Sequence, residues 1–164
     1  MQPPERSVQE IADSLKGVNI PVMVKNPINA DLQLWIGALE RFNQAGVTKL
    51  IAVHRGFSVA DKLEFRNDPL WRIPMELKVK FPELPLICDP SHISGDRALL
   101  KKVCQKAMDL DMNGLMIETH PNPDKAWSDA SQQVTPDQLS EILKQLALKS
   151  EFSRKSTSSS VQKD

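Results

Sequence analysis

Neither sign of charge dominates this 164-residue chain, in which 21 Lys and Arg stand against 21 Asp and Glu. No net field therefore draws it to nucleic acid or to an anionic membrane. It has no apolar run near the roughly 20 residues that cross a bilayer, which excludes a helical membrane span. The opening residues MQPPERSVQE show neither the basic start nor the apolar core of a secretory signal. Cysteine is scarce: Cys88 and Cys104 are the only two, and neither sits in a CxxC or metal-knuckle spacing. Both fall on apolar stretches, where a small buried thiol is expected. Together these absences point to a soluble, cytoplasmic chain with a single core.

What is present is one pattern repeated four times: a short apolar run, a polar turn, then a helical stretch. The runs are Pro21–Lys25, Lys49–His54, Pro85–Asp89 and Gly114–Glu118. Between them the spacing predicts a helix over Ala30–Gly46, a second over Ile73–Val79 and a third over Arg97–Leu110. Gly46 is placed to stop the first. Leu99, Leu100, Val103, Ala107 and Leu110 form the buried stripe of the third. A last helix starts at Thr135-Pro136-Asp137-Gln138, a Thr cap with Pro at the first position and Gln at the third, and buries Leu139, Ile142, Leu143 and Leu146. Val8, Ile11, Ala12 and Leu15 suggest a short amphipathic helix before the first run. The runs are apolar without in–out alternation, as expected of parallel strands covered on both faces. Alternating strands and helices make the fold class α/β. Residues 1–149 read as one unit, and the Ser- and Lys-rich 150–164 as a disordered tail or linker.

Ionisable residues gather where these strands end. Cys88-Asp89-Pro90-Ser91-His92 closes the third, Glu118-Thr119-His120-Pro121 the fourth, and Trp127-Ser128-Asp129 follows. Parallel barrels keep their chemistry at those ends, and His92, Glu118 and Asp129 are donors of the kind that hold a divalent ion. Plainer readings stand beside this one. Lys25 taken alone is a solvated strand end, His92 a loop histidine, and Asp129 equally a local cap. Glu118 resists such a reading, because an unpaired charge after Leu-Met-Ile is costly to bury. His54 and His120 are expected behind the site or as structural residues, and Trp35, Trp71 and Trp127 as packing.

The motifs HRG at 54–56, DPSH at 89–92, IETHP at 117–121 and PDKAWSDA at 123–130 occur in that order, with PVMVKN at 21–26 and QEIADSLKG at 9–17. In combination they resemble the C-terminal half of 3-deoxy-7-phosphoheptulonate (DAHP) synthase, of the DAHP synthetase I family, in the form fused to chorismate mutase. The resemblance covers about residues 7 to 148. It implies a partial (β/α)8 TIM barrel holding an amphipathic helix and the last four βα units. It also implies the condensation of phosphoenolpyruvate with erythrose 4-phosphate, the first step toward chorismate and the aromatic amino acids.

By that resemblance His92, Glu118 and Asp129 bind a divalent metal (Mn2+, Fe2+, Zn2+ or Co2+). Lys25 and Arg55 bind phosphoenolpyruvate, Ser91 is a further substrate-binding residue that with Asp89 shapes the loop presenting His92, and Lys25 and His92 are the catalytic candidates. Where relatives often carry an acidic residue before Arg-Gly, this chain has His54. The family's opening segment, with a Gly-Pro-Cys-Ser ligand motif and a Lys-Pro-Arg-Thr phosphate motif, does not occur in these residues, and a whole barrel takes about 250 residues. Turnover is therefore expected to need the N-terminal half of the barrel or a second chain, in an oligomer. Two other readings stay open: the related 3-deoxy-D-manno-octulosonate-8-phosphate synthase, and a non-catalytic half-barrel used for interaction or regulation.

Overall fold

The computed structural model describes residues 7–59 and 64–148, so the expected tail at 150–164 lies outside the described residues. The repeated pattern becomes four strands: β1 (Val22–Lys25), β2 (Leu50–His54), β3 (Leu86–Cys88) and β4 (Gly114–Leu115). They pair in sequence order and all in parallel. Each strand is followed by helix: α2 (Leu32–Gln44), α3 (Arg72–Lys80), then α4 (Pro90–Ser94) with α5 (Arg97–Asp109), and finally α6 (Pro136–Lys144). The helix α1 (Val8–Ser14) precedes β1. Parallel neighbours in strict sequence order, each crossing over through a helix, form the arc of a (β/α) barrel.

The core lies between sheet and helices. Val24, Ala52, Leu86 and Cys88 pack against Trp35, Leu39, Leu77 and Val103. Trp35 also donates its indole N–H to the Val24 carbonyl at 3.2 Å, which fixes α2 against β1. The opposite sheet face is less covered than the apolar strands lead one to expect: Met23 is 52% exposed, and Ile51 and Ile87 are part-exposed. In a barrel of which this sheet is an arc, that face lines the interior.

Element ends follow their caps. The first long helix starts at Leu32 rather than Ala30, because the Asp31 side chain accepts from the amides of Gln33 and Leu34. Gly46 stops it at φ 91°, as its position suggested. Thr135 and Gln138 form the expected capping box. The fourth strand is shorter than expected. After Met116 donates to the Cys88 carbonyl, the backbone turns its hydrogen bonds elsewhere: Glu118 N–H to Ser91 Oγ, and Val134 N–H to the Glu118 carbonyl. Of the apolar stripe expected on α6 and just beyond it, Leu139, Ile142 and Leu146 pack on Leu100, Cys104 and Val134 while Leu143 is 49% exposed.

That difference is measurable. Leu77→Ala, at a side chain 1% exposed, should cost about 2–5 kcal/mol in urea unfolding. Leu143→Ala should stay within about 0.5 kcal/mol of the parent. Equal losses at the two positions would contradict this packing.

Candidate metal and phosphate site

The four strand ends are joined by polar side chains acting on backbone. Asn26, buried just beyond β1, accepts the Arg55 amide at 2.7 Å and donates to the Gly56 carbonyl at 2.8 Å. It thereby ties β1 to β2 and fixes the backbone at Arg55. Gly56 is needed there: at φ 77° a Cβ would stand 2.8 Å from the Asn67 Cβ.

At the end of β3 the Asp89 carboxylate is 1% exposed and is the hub of the group. Oδ1 caps α4 by accepting the His92 amide at 3.1 Å. Oδ2 lies 3.0 Å from Lys25 Nζ and 2.8 Å from His92 Nδ1, the second contact lacking the alignment of a hydrogen bond. Ser91 is fully buried and its hydroxyl accepts the Glu118 amide at 3.0 Å. One helical turn therefore presents the His92 ring and also anchors the backbone of Glu118.

Across from it, Glu118 Oε1 stands 3.9 Å from His92 Nε2. Asp129 completes the group from a residue in left-handed conformation, φ 53°. Donor atoms of His92, Glu118 and Asp129 all lie within 4.8 Å of one another. Two ligands about 2.1 Å from one ion stand at most about 4.2 Å apart, so a small contraction would let these three share one cation. An imidazole with two carboxylates suits a first-row divalent ion. The Arg66 guanidinium hydrogen-bonded to Asp129 holds that carboxyl below the usual carboxylate range, and the charges of His92 and Arg55 act in the same direction. An ionised carboxylate is the form that ligates.

The structure thus brings together Lys25, Arg55, Ser91, His92, Glu118 and Asp129, the six residues singled out from the sequence. It also adds four that were not singled out from the sequence. Asn26 closes the PVMVKN run and was legible as part of it. Arg66 and Asn67 lie in an aperiodic excursion between β2 and α3, where no spacing signals a role. Gln132 lies two residues past the PDKAWSDA motif and is fully buried. Trp127 departs from expectation, for it is fully exposed, 106% against its reference, rather than packed. His120 is structural: its Nδ1 accepts the Asn122 amide at 2.9 Å within a tight turn. Neither cysteine joins the site, and burial pushes the Cys104 thiol up to about 12 and Cys88 higher than usual as well.

His54, one residue before Arg55, sits among Trp35, Phe57 and Trp71 with ring centroids 5.3–6.4 Å away. Burial lowers its pKa to about 3, with the Pro69 carbonyl and the Asp89 charge opposing the shift. It is a neutral packing residue.

The chain as a whole has relatives among known proteins. The family model described as the DAHP synthetase I family matches residues 7–153. Phospho-2-dehydro-3-deoxyheptonate aldolase of Thermotoga maritima is 27% identical over 128 residues, covering 78% of this chain and 37% of that protein. A 2-dehydro-3-deoxyphosphooctonate aldolase of Vesicomyosocius okutanii is 38% identical over 73 residues, covering 38% of this chain and 26% of that protein. In structure, a truncated 3-deoxy-D-arabino-heptulosonate 7-phosphate synthase from Thermotoga maritima superposes with a TM-score of 0.76 at 25% identity, covering 92% of this chain and 54% of that one. The chain therefore spans about half of the solved relative and less of the curated ones.

The burial of His54 sets a pH dependence. The folded pKa of about 3 lies below the unfolded value near 6.5, so the neutral ring stabilises fully above pH 6.5. This stabilisation is lost as pH falls from about 6.5 toward 3, because only the unfolded chain takes up the proton there. His54→Phe should flatten that part of the stability–pH curve in chemical denaturation. Identical slopes for parent and variant would count against a neutral buried ring.

Proposed function

The chain belongs to the DAHP synthetase I family, and from that premise we propose that it is the half of a DAHP synthase barrel that carries most of the metal site. The reaction is the condensation of phosphoenolpyruvate with erythrose 4-phosphate to 3-deoxy-7-phosphoheptulonate and phosphate. The observation that carries this reading is the convergence of His92, Glu118 and Asp129 at parallel strand ends, with Lys25 and Arg55 beside them. Each substrate brings a phosphate, and phosphoenolpyruvate a carboxylate too, so fixed cations are required.

In this reading Arg55, its backbone held by Asn26, offers its planar fork to phosphoenolpyruvate. Lys25 supplies a point charge and, through Asp89, is linked to His92. Ser91 keeps the substrate side in shape by holding the Glu118 amide. A divalent ion bound by His92, Glu118 and Asp129 would supply Lewis acidity toward the aldehyde. In the overall balance C3 of phosphoenolpyruvate bonds to the aldehyde carbon, whose oxygen takes a proton. Water adds at C2, and the C2–O bond breaks to release phosphate.

The sequence spans about half of the solved relative, so turnover needs the rest of the barrel, from further residues of the same polypeptide or from a second chain. The exposed Met23 and the outer edge of β1, unpaired among the described residues, are where that half would join. A cytoplasmic setting suits the two free, buried cysteines, and no helix among the described residues is long and apolar enough to cross a membrane. The phosphooctonate aldolase relatives favour a second reading, with arabinose 5-phosphate as the aldehyde substrate.

The test supplies the missing half of the barrel and follows phosphate release with each sugar phosphate, alongside Mn2+ titration. We expect release with erythrose 4-phosphate, and a loss of at least about 100-fold in kcat/KM for Arg55→Ala. His92→Ala and Glu118→Ala should abolish Mn2+ binding. Preference for arabinose 5-phosphate would establish the second reading, and absence of both phosphate release and binding of any of the four candidate ions would leave only a non-catalytic half-barrel.

A further inference from the structure

Two of the three candidate ligands are bridged by side chains to which neither the sequence pattern nor the proposed chemistry gives a role. Gln132 is fully buried. Its Nε2 donates to Glu118 Oε2 at 2.7 Å, and its Oε1 accepts from Arg66 Nη1 at 2.8 Å. The same Nη1 donates to Asp129 Oδ1 at 2.6 Å.

We propose that Arg66 and Gln132 are a positioning couple that holds one oxygen of each carboxylate and aims the other at a shared divalent cation. The proposal rests on the reading of His92, Glu118 and Asp129 as a metal site, and extends it to residues that touch no ion. The geometry supports the division of labour on the Glu118 side. Oε2 is taken by Gln132, and the remaining Oε1 is the one nearest His92 Nε2. A carboxylate whose outer oxygen is hydrogen-bonded keeps its orientation while it ligates. The Gln132 amide can donate to Glu118 and accept from Arg66 at once, which a methionine of similar size cannot do.

The couple is itself anchored to the turn that bears His92. Arg66 N–H donates to the Ser94 carbonyl at 3.2 Å, and Asn67 donates by its amide to Ile93 and by its side chain to the His92 carbonyl at 2.6 Å. Gly95 permits this approach, for a Cβ there would stand 2.4 Å from the Arg66 Cβ. All three ligands are thus referred to one turn of backbone. The charge follows as well: two carboxylates neutralise a divalent ion, and Arg66 leaves the group positive, which favours an anionic substrate at the open coordination positions.

The experiment is Mn2+ titration of the chain by loss of the free-ion paramagnetic resonance signal, with Co2+ absorption as a second readout. Circular dichroism melts check the fold of each variant. Gln132→Met and Arg66→Met should each weaken Mn2+ binding by about 10- to 100-fold, with Arg66→Lys recovering part of the loss. At saturating Co2+ the variants should show shifted visible bands, which loss of general stability would not produce. The double variant should lose little beyond the worse single one, since the two act as a unit. Arg66 has a half-exposed side chain, so Arg66→Met carries the test if Gln132→Met does not fold. Variants that bind Mn2+ as tightly as the parent, or more tightly, would overturn the couple alone. A parent that binds no Mn2+ would overturn the metal reading and the couple together.

Discussion

Asp89 brings a carboxylate into almost complete burial at the end of a parallel strand, and the surrounding strand ends are arranged to satisfy it. A charge in such a place is costly unless donors converge on it. Lys25 Nζ comes from the end of β1 and the His92 amide from the first turn of α4, while the His92 ring lies against the same oxygen as Lys25. One buried group thus fixes the distance between two strands and the orientation of a candidate ligand. Its other consequence is chemical, since it couples the Lys25 cation with the His92 imidazole.

A second network mirrors the first on the opposite side of His92. Where Asp89 works through a buried charge, Gln132 works through a buried neutral amide, and Arg66 supplies the balancing cation from a more exposed position. The site is held from both flanks, and both supports are rooted in α4 and its neighbouring turn. This suits a group assembled from the ends of separate strands, where no single element gives rigidity.

Much of this was legible in the sequence. The four strands were found because parallel strands read as short apolar runs, and α2, α5 and α6 because their stripes recur at helical spacing. His92, Glu118 and Asp129 were singled out as donors gathered past strand ends, whereas Lys25, Arg55 and Ser91 were singled out only through the family resemblance. The rest was hidden for physical reasons. Arg66 and Asn67 act from irregular backbone, which has no period. Gln132 carries no charge and so draws no notice in a polar loop. The end of β4 was misplaced because Met116 and Ile117 are as apolar as strand residues, while their neighbours' hydrogen bonds go to Ser91 and Val134. Trp127 was misread because a large apolar side chain is ordinarily buried.

The indole of Trp127, standing wholly in water two residues from Asp129, gives the site an optical label of its own. Trp35 is sealed in the core and Trp71 is half-covered, so the three indoles differ in their access to a collisional quencher. Iodide would extinguish the emission of Trp127 first. The quenchable fraction of the fluorescence then reports on one loop, and any ordering of the Asp129 segment becomes visible as light without a change to the protein.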